Sequence, residues 1–356
     1  MIRVFVVDDS AIVRQKLTKE LNKHNDIQVI GTAIDPYVAR DKIVKIDPDV
    51  ITLDVEMPRM DGITFLKRIM QYYPKPVIIV SSLTDKGSSL ALEALEAGAV
   101  EVMCKPGGAY SVGDLSMQLA NVIRASAKAD IKKKDYYTYK AKNRTKRKSK
   151  PANLARQKTG VSSKQIIAIG ASTGGTEAIK QILFNLPADT PGILIVQHMP
   201  PQFTKTFAER LNSMCAMEVK EAEDGDKVKL GHVLLAPGNF HMLLRKSGAD
   251  YSVSVKNGPM VHHQRPSIDI LLRSVAQTAA HKAIGALLTG MGSDGAKGLL
   301  EMKKARSVTM VQNRESCVVF GMPQEALKLH AADLSLDIND MASTILRKVD
   351  HLKDEQ

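Results

Sequence analysis

The chain has 356 residues, of which 44% are hydrophobic, and a net charge of +12. This length allows two domains with cores of their own, and with no apolar run of about 18 residues we expect no membrane-spanning helix. Its three cysteines are scattered, which argues against a disulfide or zinc framework and favours a reduced, cytoplasmic protein. The first apolar run is short and ends in two acids, which is unlike a signal peptide.

The first 125 residues alternate between apolar runs typical of strands and amphipathic stretches typical of helices. The predicted strands are Val4–Val7, Val29–Ala33, Val50–Leu53, Val77–Val80 and Val100–Met103. The predicted helices are Ser10–Lys23, Pro36–Ile46, Gly62–Tyr72, Ser88–Ala97 and Leu115–Ala127. Strict alternation of five strands and five helices predicts an α/β domain with a parallel sheet covered on both faces.

Charged and polar residues of this first domain fall at the ends of predicted strands. Asp8 and Asp9 end the first strand and Asp54 ends the third, while Ser81 and Lys105 end the fourth and fifth. Ligands of open parallel sheets bind at the carboxyl ends of the strands, and clustered carboxylates suit Mg²⁺. A carboxylate, a hydroxyl, a lysine and Mg²⁺ at one edge can accept and hold a phosphoryl group.

Residues 1–125 resemble the receiver domain of two-component response regulators. The residues that carry the resemblance are Asp8, Asp9, the segment 54–62, Ser81, Lys105 and Pro106. The resemblance implies a flavodoxin-like (βα)5 fold in which Asp54 takes a phosphoryl group from a histidine kinase. It also implies Mg²⁺ bound by Asp8, Asp9 and Asp54, with help from the backbone carbonyl of Glu56.

The basic charge is concentrated in one segment between the two halves of the chain. Residues 128–158 hold 13 basic and two acidic residues, which account for nearly all of the net charge. Because like charges repel and little is apolar, residues 126–161 are predicted to be a flexible linker. A folded nucleic-acid-binding face is not indicated.

From residue 162 the sequence again alternates between strand-like and helix-like stretches. This alternation predicts a second, doubly wound and mostly parallel α/β domain over 162–356. The apolar runs are Ile166–Ile169, Ile193–Val196, Val233–Ala236, Ala283–Leu288 and Val308–Val311, and Tyr251–Val255 alternates like an edge or hairpin strand.

The first of these strands runs into a serine flanked by glycines. Gly170 to Gly174 has the spacing G-x-S-x-G around Ser172, and residues 176–186 are predicted to form a helix. The same strand, turn and helix could expose a nucleophilic serine or cradle a phosphate, and on this segment alone the two readings are equal.

A nucleophilic serine needs a base, and the base needs an acid that orients it. His198 ends the strand after the serine helix, and Asp294 follows the strand that ends at Leu288. Consecutive parallel strands are usually neighbours, so Ser172 and His198 should lie close together. Among the other histidines, His241 is predicted to be a rim residue, and His262 with His263 to lie in a surface loop. The order Ser, His, Asp differs from that of α/β-hydrolases.

The second half resembles the catalytic domain of the CheB family of chemotaxis-specific protein-glutamate methylesterases. The matching segments are 170–175, 196–200, 236–242, 265–269, 288–295 and 319–323. The resemblance implies hydrolysis of γ-glutamyl methyl esters, and deamidation of glutamines, on cytoplasmic helices of chemoreceptors. Ser172 would be the nucleophile, His198 the base and Asp294 the orienting acid. The backbone N–H of Met291 would face the oxyanion, with that of Thr173 as a candidate second donor. No cofactor is expected for the esterase step.

The implied partners are methylated chemoreceptors and the histidine kinase, with membrane contact only through the receptors and no nucleic acid. We expect the unphosphorylated receiver to cover the strand ends that bear Ser172, and phosphorylation of Asp54 to weaken that interface. Two other functions are considered. A receiver-controlled DNA-binding regulator is the main alternative to the methylesterase, and a nucleotide-binding output domain is the second alternative.

Overall fold

The computed structural model describes residues 1–57, 59–81, 85–105, 112–129, 165–248 and 250–354. These residues form two compact units, one within residues 1–140 and the other within 141–356. Residues 130–164, which hold nearly all of the predicted linker, lie outside the described residues. No helix in the described ranges is both long enough and apolar enough to cross a membrane.

The first unit alternates strictly between strands and helices. Its strands are β1 (Ile2–Val7), β2 (Ile27–Ala33), β3 (Val50–Leu53), β4 (Val77–Ser81) and β5 (Glu101–Cys104). Its helices are α1 (Ala11–Leu21), α2 (Pro36–Ile46), α3 (Gly62–Tyr72), α4 (Asp85–Glu96) and α5 (Val112–Ser126). All strand pairs are parallel and the order is β2-β1-β3-β4-β5. This is the predicted α/β fold.

Local sequence explains where these elements start and what they bury. Val4 to Val7 are buried because helices cover both faces of the sheet. The side chains of Ser10, Asp35 and Asp61 accept the backbone N–H of the third residue after each, and so cap α1, α2 and α3. Because all strands are parallel, the loops that lead from the strands into these helices lie at one edge of the sheet.

The second unit is larger and keeps the alternation. Its strands are β6 (Ile166–Ala171), β7 (Gly192–Gln197), β8 (Glu218–Glu221), β9 (His232–Leu235), β10 (His241–Ser247), β11 (Asp250–Lys256), β12 (Ala283–Leu287), β13 (Val308–Gln312) and β14 (Leu334–Leu336). Its helices are α6 (Gly175–Phe184), α7 (Phe203–Met214), α8 (Ile268–Thr278), α9 (Ala296–Lys304), α10 (Met322–Lys328) and α11 (Ile338–Asp354), with a 3₁₀ turn at Ala280–Lys282.

Seven parallel strands form the main sheet in the order β14-β13-β12-β6-β7-β9-β8. Antiparallel β10 and β11 form a separate hairpin, as the alternation of Tyr251–Val255 allowed. The hairpin, α8 and α9 share one hydrophobic core with the sheet, and α6 packs with α11. The central strand β6 lies between β12 and β7, so the carboxyl ends of these three strands are adjacent.

The apolar runs predicted the inner strands but not the outer ones. β8, β10 and β14 were not predicted, and two of them, β8 and β14, lie at the edges of the main sheet. Three of the four residues of β8 are charged, which hides its strand character in the sequence.

Candidate functional site

The first unit gathers acids and a lysine at the carboxyl edge of its sheet. Asp8 and Asp9 follow β1, Asp54 follows β3 and Lys105 follows β5. Asp8 and Asp54 are buried, whereas Asp9 is exposed. Since β1 and β3 are neighbours, the two buried carboxylates belong to one pocket.

Lys105 joins these two carboxylates. Its Nζ lies 2.6 Å from Asp54 Oδ2 and 3.1 Å from Asp8 Oδ2. Burial raises the pKa of Asp54 to about 6, although the hydrogen bond and the charge of Lys105 act in the opposite direction. Burial alone would lower the pKa of Lys105, but the hydrogen bond from Lys105 to Asp54 and the charges of both acids raise it.

The pocket fits a hard divalent cation. One carboxylate oxygen each from Asp8, Asp9 and Asp54 lies within 4.8 Å of the others. The buried Oδ2 of Asp8 has the ammonium of Lys105 at 3.1 Å and no hydrogen bond from another described group, so it keeps a lone pair for a further ligand. Oxygen donors of this kind suit Mg²⁺. Glu56 lies beside the pocket and donates its backbone N–H to Asp54 Oδ1, at 3.2 Å. The side chain of Ser81, at the end of β4, lies outside the described residues.

In the second unit, Ser172 follows the central strand β6. Its backbone N–H donates to the carbonyl of Thr289, at 3.0 Å, which ties the turn to the end of β12. Gly174 takes a left-handed φ of +78°, and α6 then begins at Gly175. A side chain at Gly290 would come within 2.6 Å of Ser172 Cβ, so the loop after β12 packs directly on the serine.

His198 follows β7 and is paired with Asp294. The backbone N–H of His198 donates to the carbonyl of Ala171, at 3.0 Å, and holds the histidine beside the serine turn. His198 Nε2 lies 2.8 Å from Asp294 Oδ2. Because the carboxylate is ionised, Nε2 must be the protonated nitrogen. Nδ1 is buried and has no hydrogen-bond partner among the described residues, so its lone pair is free.

Asp294 is buried but surrounded by donors. Besides His198, it accepts hydrogen bonds from Ser267 Oγ (2.8 Å) and from the backbone N–H groups of Ile268 (2.7 Å) and Asp269 (3.0 Å). Burial acts to raise the pKa of Asp294, but these donors and the charge of His198 outweigh it and hold the pKa below its ordinary value. The carboxylate is therefore charged at neutral pH and stabilises a proton on His198.

Two backbone N–H groups near Ser172 have no hydrogen-bond acceptor among the described residues. Those of Thr173 and Met291 donate to no acceptor within the described part of the chain. Thr173 follows Ser172, and Met291 lies between Gly290 and Gly292 in the loop that packs on the serine. Free N–H groups beside a serine can stabilise a negative oxygen in a tetrahedral intermediate.

Sequence reasoning missed several polar residues that hold this arrangement. Gln197 is buried, and its Nε2 donates to the carbonyls of Ser172 (3.0 Å) and His198 (3.1 Å). The hydroxyl of Thr289 donates to the carbonyl of Thr173, at 2.9 Å. The prediction that His241 is a rim residue is wrong: it is buried, and its ring binds the backbone of Pro259 and Ser267.

Two family models match the chain, one for each unit. The response regulator receiver domain matches residues 4–112, and the CheB methylesterase matches residues 167–345. The second match leaves the DNA-binding alternative without support.

Full-length relatives agree with this division. A protein-glutamate methylesterase/protein-glutamine glutaminase 2 of Syntrophus aciditrophicus is 56% identical, over 98% of this chain and 99% of its own length. The corresponding enzyme of Escherichia coli O157:H7 is 49% identical, over 98% of this chain and 97% of its own length.

A crystal structure of the CheB methylesterase catalytic domain of Thermotoga maritima is similar to the second unit. It has a TM-score of 0.51 and 38% identity, and the match covers 51% of this chain and 97% of that chain. The chain therefore belongs to the CheB methylesterase family, with a response regulator receiver domain ahead of the methylesterase domain.

Proposed function

We propose that the chain is a phosphorylation-controlled protein-glutamate methylesterase and protein-glutamine glutaminase that acts on methylated chemoreceptors. The printed activity of its full-length relatives supports the reaction class. The observation that carries the proposal is the 2.8 Å pair of His198 and Asp294 beside Ser172, at three adjacent strand ends.

In this reaction Ser172 Oγ attacks the carbonyl carbon of the glutamyl methyl ester, and Nδ1 of His198 takes the hydroxyl proton. The tetrahedral intermediate collapses, the carbon–oxygen bond to the methoxy group breaks, and His198 gives the proton to the departing methanol. A water molecule then attacks the acyl-serine and gives a proton to the same nitrogen. His198 returns that proton to Ser172 Oγ as the acyl–oxygen bond breaks, which restores Ser172 and leaves a glutamate side chain on the receptor. With a glutamine substrate the leaving group is ammonia.

The groups around Ser172 and His198 assist the reaction without forming or breaking covalent bonds to carbon. Asp294 keeps the proton of the neutral imidazole on Nε2, which leaves Nδ1 as the base, and its charge stabilises the imidazolium. The N–H groups of Met291 and Thr173 are the candidate donors to the oxyanion. Removal of one such donor lowers kcat by about 100- to 1,000-fold in a well-studied serine hydrolase.

Control of the reaction is assigned to the receiver. We infer that Asp54 accepts a phosphoryl group from the phosphohistidine of a kinase, and that Lys105 then pairs with the new phosphoryl oxygens. Asp8, Asp9, Asp54 and the carbonyl of Glu56 would hold Mg²⁺, which supplies positive charge to the transferring group. Ser81, at the end of β4, is a further candidate to contact that group.

Methanol release from methylated receptor membranes tests the hydrolytic proposal. Ser172→Ala should lose activity to the level of the uncatalysed reaction, because it lacks the attacking oxygen. Ser343→Ala is the matched control, since that hydroxyl lies on α11 and, among the described residues, donates to the carbonyl of Asp340 alone. Methanol release by Ser172→Ala at the wild-type rate would overturn the assignment of the nucleophile.

A further inference from the structure

Two buried acids near the hydrolytic site cap each other's helices. Asp294 lies two residues before the start of α9, but its carboxylate accepts the N–H groups of Ile268 and Asp269 in the first turn of α8. Asp269 lies in α8, but its Oδ1 accepts the N–H groups of Gly295 (3.1 Å) and Gly298 (2.6 Å) at the start of α9. The two helix N-termini are thus locked together by reciprocal hydrogen bonds.

Asp269 has no access to solvent, and both of its carboxylate oxygens have partners inside the protein. Its Oδ2 lies 3.2 Å from His262 Nε2 and 3.9 Å from Arg273 Nη2. His262 belongs to the exposed loop and covers the carboxylate from outside. A buried carboxylate without hydrogen-bond donors would strongly destabilise the folded protein. The contacts of Asp269 with α9 and with His262 are therefore needed to keep this carboxylate buried.

We propose that Asp269 is a positioning residue of the hydrolytic site, which acts through Asp294 on the imidazole of His198. The inference rests on the proposed function, because it gives Asp269 a role only if the pair of Asp294 and His198 takes part in the reaction. It also gives a role to the segment 265–269, whose Ser267 and Ile268 bind the same Asp294 carboxylate.

The effect passes from Asp269 to Asp294 through one hydrogen bond and one peptide bond. Asp294 is joined to Gly295, and the N–H of Gly295 is held by Asp269 Oδ1. A side chain at Gly298 would come within 3.0 Å of the carbonyl of Asp269, so α9 is seated against this residue with little room to shift. Loss of the Asp269 carboxylate releases the peptide that follows Asp294, and the distance from Asp294 Oδ2 to Nε2 is then no longer fixed.

The test compares Asp269→Asn and Asp269→Ala in the full chain. Asn keeps one acceptor for the two N–H groups but loses the charge, so we expect kcat to fall about tenfold. Ala loses the acceptors, and a misplacement of about 1 Å in a catalytic group can lower kcat about 100-fold. The KM for methylated receptor should stay within about twofold in both, because Asp269 is buried away from substrate.

The proton on His198 Nε2 gives a second readout that a purely structural role would leave unchanged. Its downfield proton NMR signal reports the hydrogen bond to Asp294 and should weaken in the order wild type, Asn, Ala. Asp333→Asn and Asp333→Ala are the controls, since Asp333 also binds a backbone N–H and a lysine but lies at the opposite edge of the sheet, beside Thr309. Both controls should keep the wild-type kcat and the His198 signal.

The outcomes separate the two proposals. If the wild type releases methanol, Ser172→Ala does not, and folded Asp269 variants keep both kcat and the His198 signal, the positioning role is wrong and the proposed function stands. A fall in kcat with an unchanged His198 signal also overturns the positioning role. Absence of methanol release by the wild type defeats the proposed function instead, and methanol release by Ser172→Ala at the wild-type rate overturns only its nucleophile. If Asp269→Ala does not fold, the Asn variant decides alone.

Discussion

At the scale of single residues, two buried acids have pKa values shifted in opposite directions. Among the described residues, Asp54 receives hydrogen bonds from Lys105 and the N–H of Glu56 alone, so burial dominates and raises its pKa to about 6. Asp294 receives four donors, and its pKa falls despite burial. The number of hydrogen-bond donors, rather than depth of burial, separates the two.

The raised pKa of Asp54 predicts how Mg²⁺ binding depends on pH. A metal ligand must be deprotonated, and Asp54 becomes protonated as the pH falls through about 6. The dissociation constant for Mg²⁺ should therefore rise about tenfold between pH 7 and pH 5, as measured by calorimetric titration. Asp54→Asn should bind Mg²⁺ weakly, and its residual affinity should change much less over this range. An equal affinity of the wild type at pH 7 and pH 5 would contradict this assignment.

The environment of Asp294 predicts a large effect from a small substitution. Asp294→Asn replaces one acceptor oxygen by an NH₂ group that must face donors, and it removes the charge that stabilises protonated His198. The same change in a serine protease triad lowers kcat about 10⁴-fold, and we expect a loss of that order in methanol release.

Asp224→Asn is the control for Asp294→Asn. Asp224 also accepts a backbone N–H and a serine hydroxyl, from Val255 and Ser254, but it lies beside the hairpin. Its substitution should leave kcat unchanged. A loss below about tenfold in a folded Asp294→Asn variant would remove Asp294 from the proposed mechanism.

At the scale of elements, the unit that positions the nucleophile is the strand, turn and helix formed by β6 and α6. Gly175 allows this turn to pack against Gln197, whose amide binds the carbonyls of Ser172 and His198. A Cβ at Gly175 would lie 2.2 Å from Gln197 Oε1 and 2.6 Å from Ala171 Cβ. The glycine is therefore required by close approach, and Gln197 links the ends of β6 and β7.

Gly175→Ala should disturb both stability and activity. The added methyl group has to displace Gln197 or the turn, which costs about 1–3 kcal/mol of unfolding free energy in a well-packed site. Methanol release should fall at the same time, because the amide that joins the two catalytic strand ends moves. Denaturant unfolding and kcat measured on the same preparation check this.

Gly225→Ala separates this packing effect from ordinary backbone strain. Gly225 has a φ of +86°, and a Cβ added there would have no other atom within 4 Å. Alanine at this position therefore costs only about 1–2 kcal/mol of backbone energy. It should lower stability without lowering kcat. Equal kcat values for the two variants would show that the packing of Gly175 does not matter to the site.

The sequence predicted this unit well because its strands are buried on both faces and therefore read as apolar runs. Ser172, His198 and Asp294 could be predicted to lie at neighbouring strand ends because each follows such a run, and the structure places them there. Edge strand β8 was missed, since an edge position lets charged residues occupy a strand. Asp269 and Gln197 were missed because each looks like an ordinary polar residue in the sequence. The contacts that give them a role, from Gln197 to Ser172 and from Asp269 to Gly295 and Gly298, join positions 25 to 29 residues apart.

At the scale of the whole molecule, two chemically separate sites share one chain. In the proposed function the pocket of Asp54 stores a phosphoryl group and the site of Ser172 hydrolyses an ester, and the two sites have no residue in common. Such a pair acts as a regulated enzyme only if phosphorylation changes the fraction of molecules whose hydrolytic site is accessible. The proposed control is therefore a shift between two states of the full chain.

This control predicts the response of methanol release to a phosphodonor. If about 10% of unphosphorylated molecules are active, full phosphorylation can raise the rate by at most about tenfold, and a smaller active fraction allows more. Acetyl phosphate with Mg²⁺ should therefore activate the wild type about tenfold or more. Asp54→Asn should keep the basal rate and show no response, since it lacks the acceptor. Asp26→Asn is the matched control, because Asp26 is an exposed acid that pairs with Arg124 on the same receiver, and it should respond fully. Asp54→Asn as active as the phosphorylated wild type would rule out phosphoryl control and leave the receiver without this role.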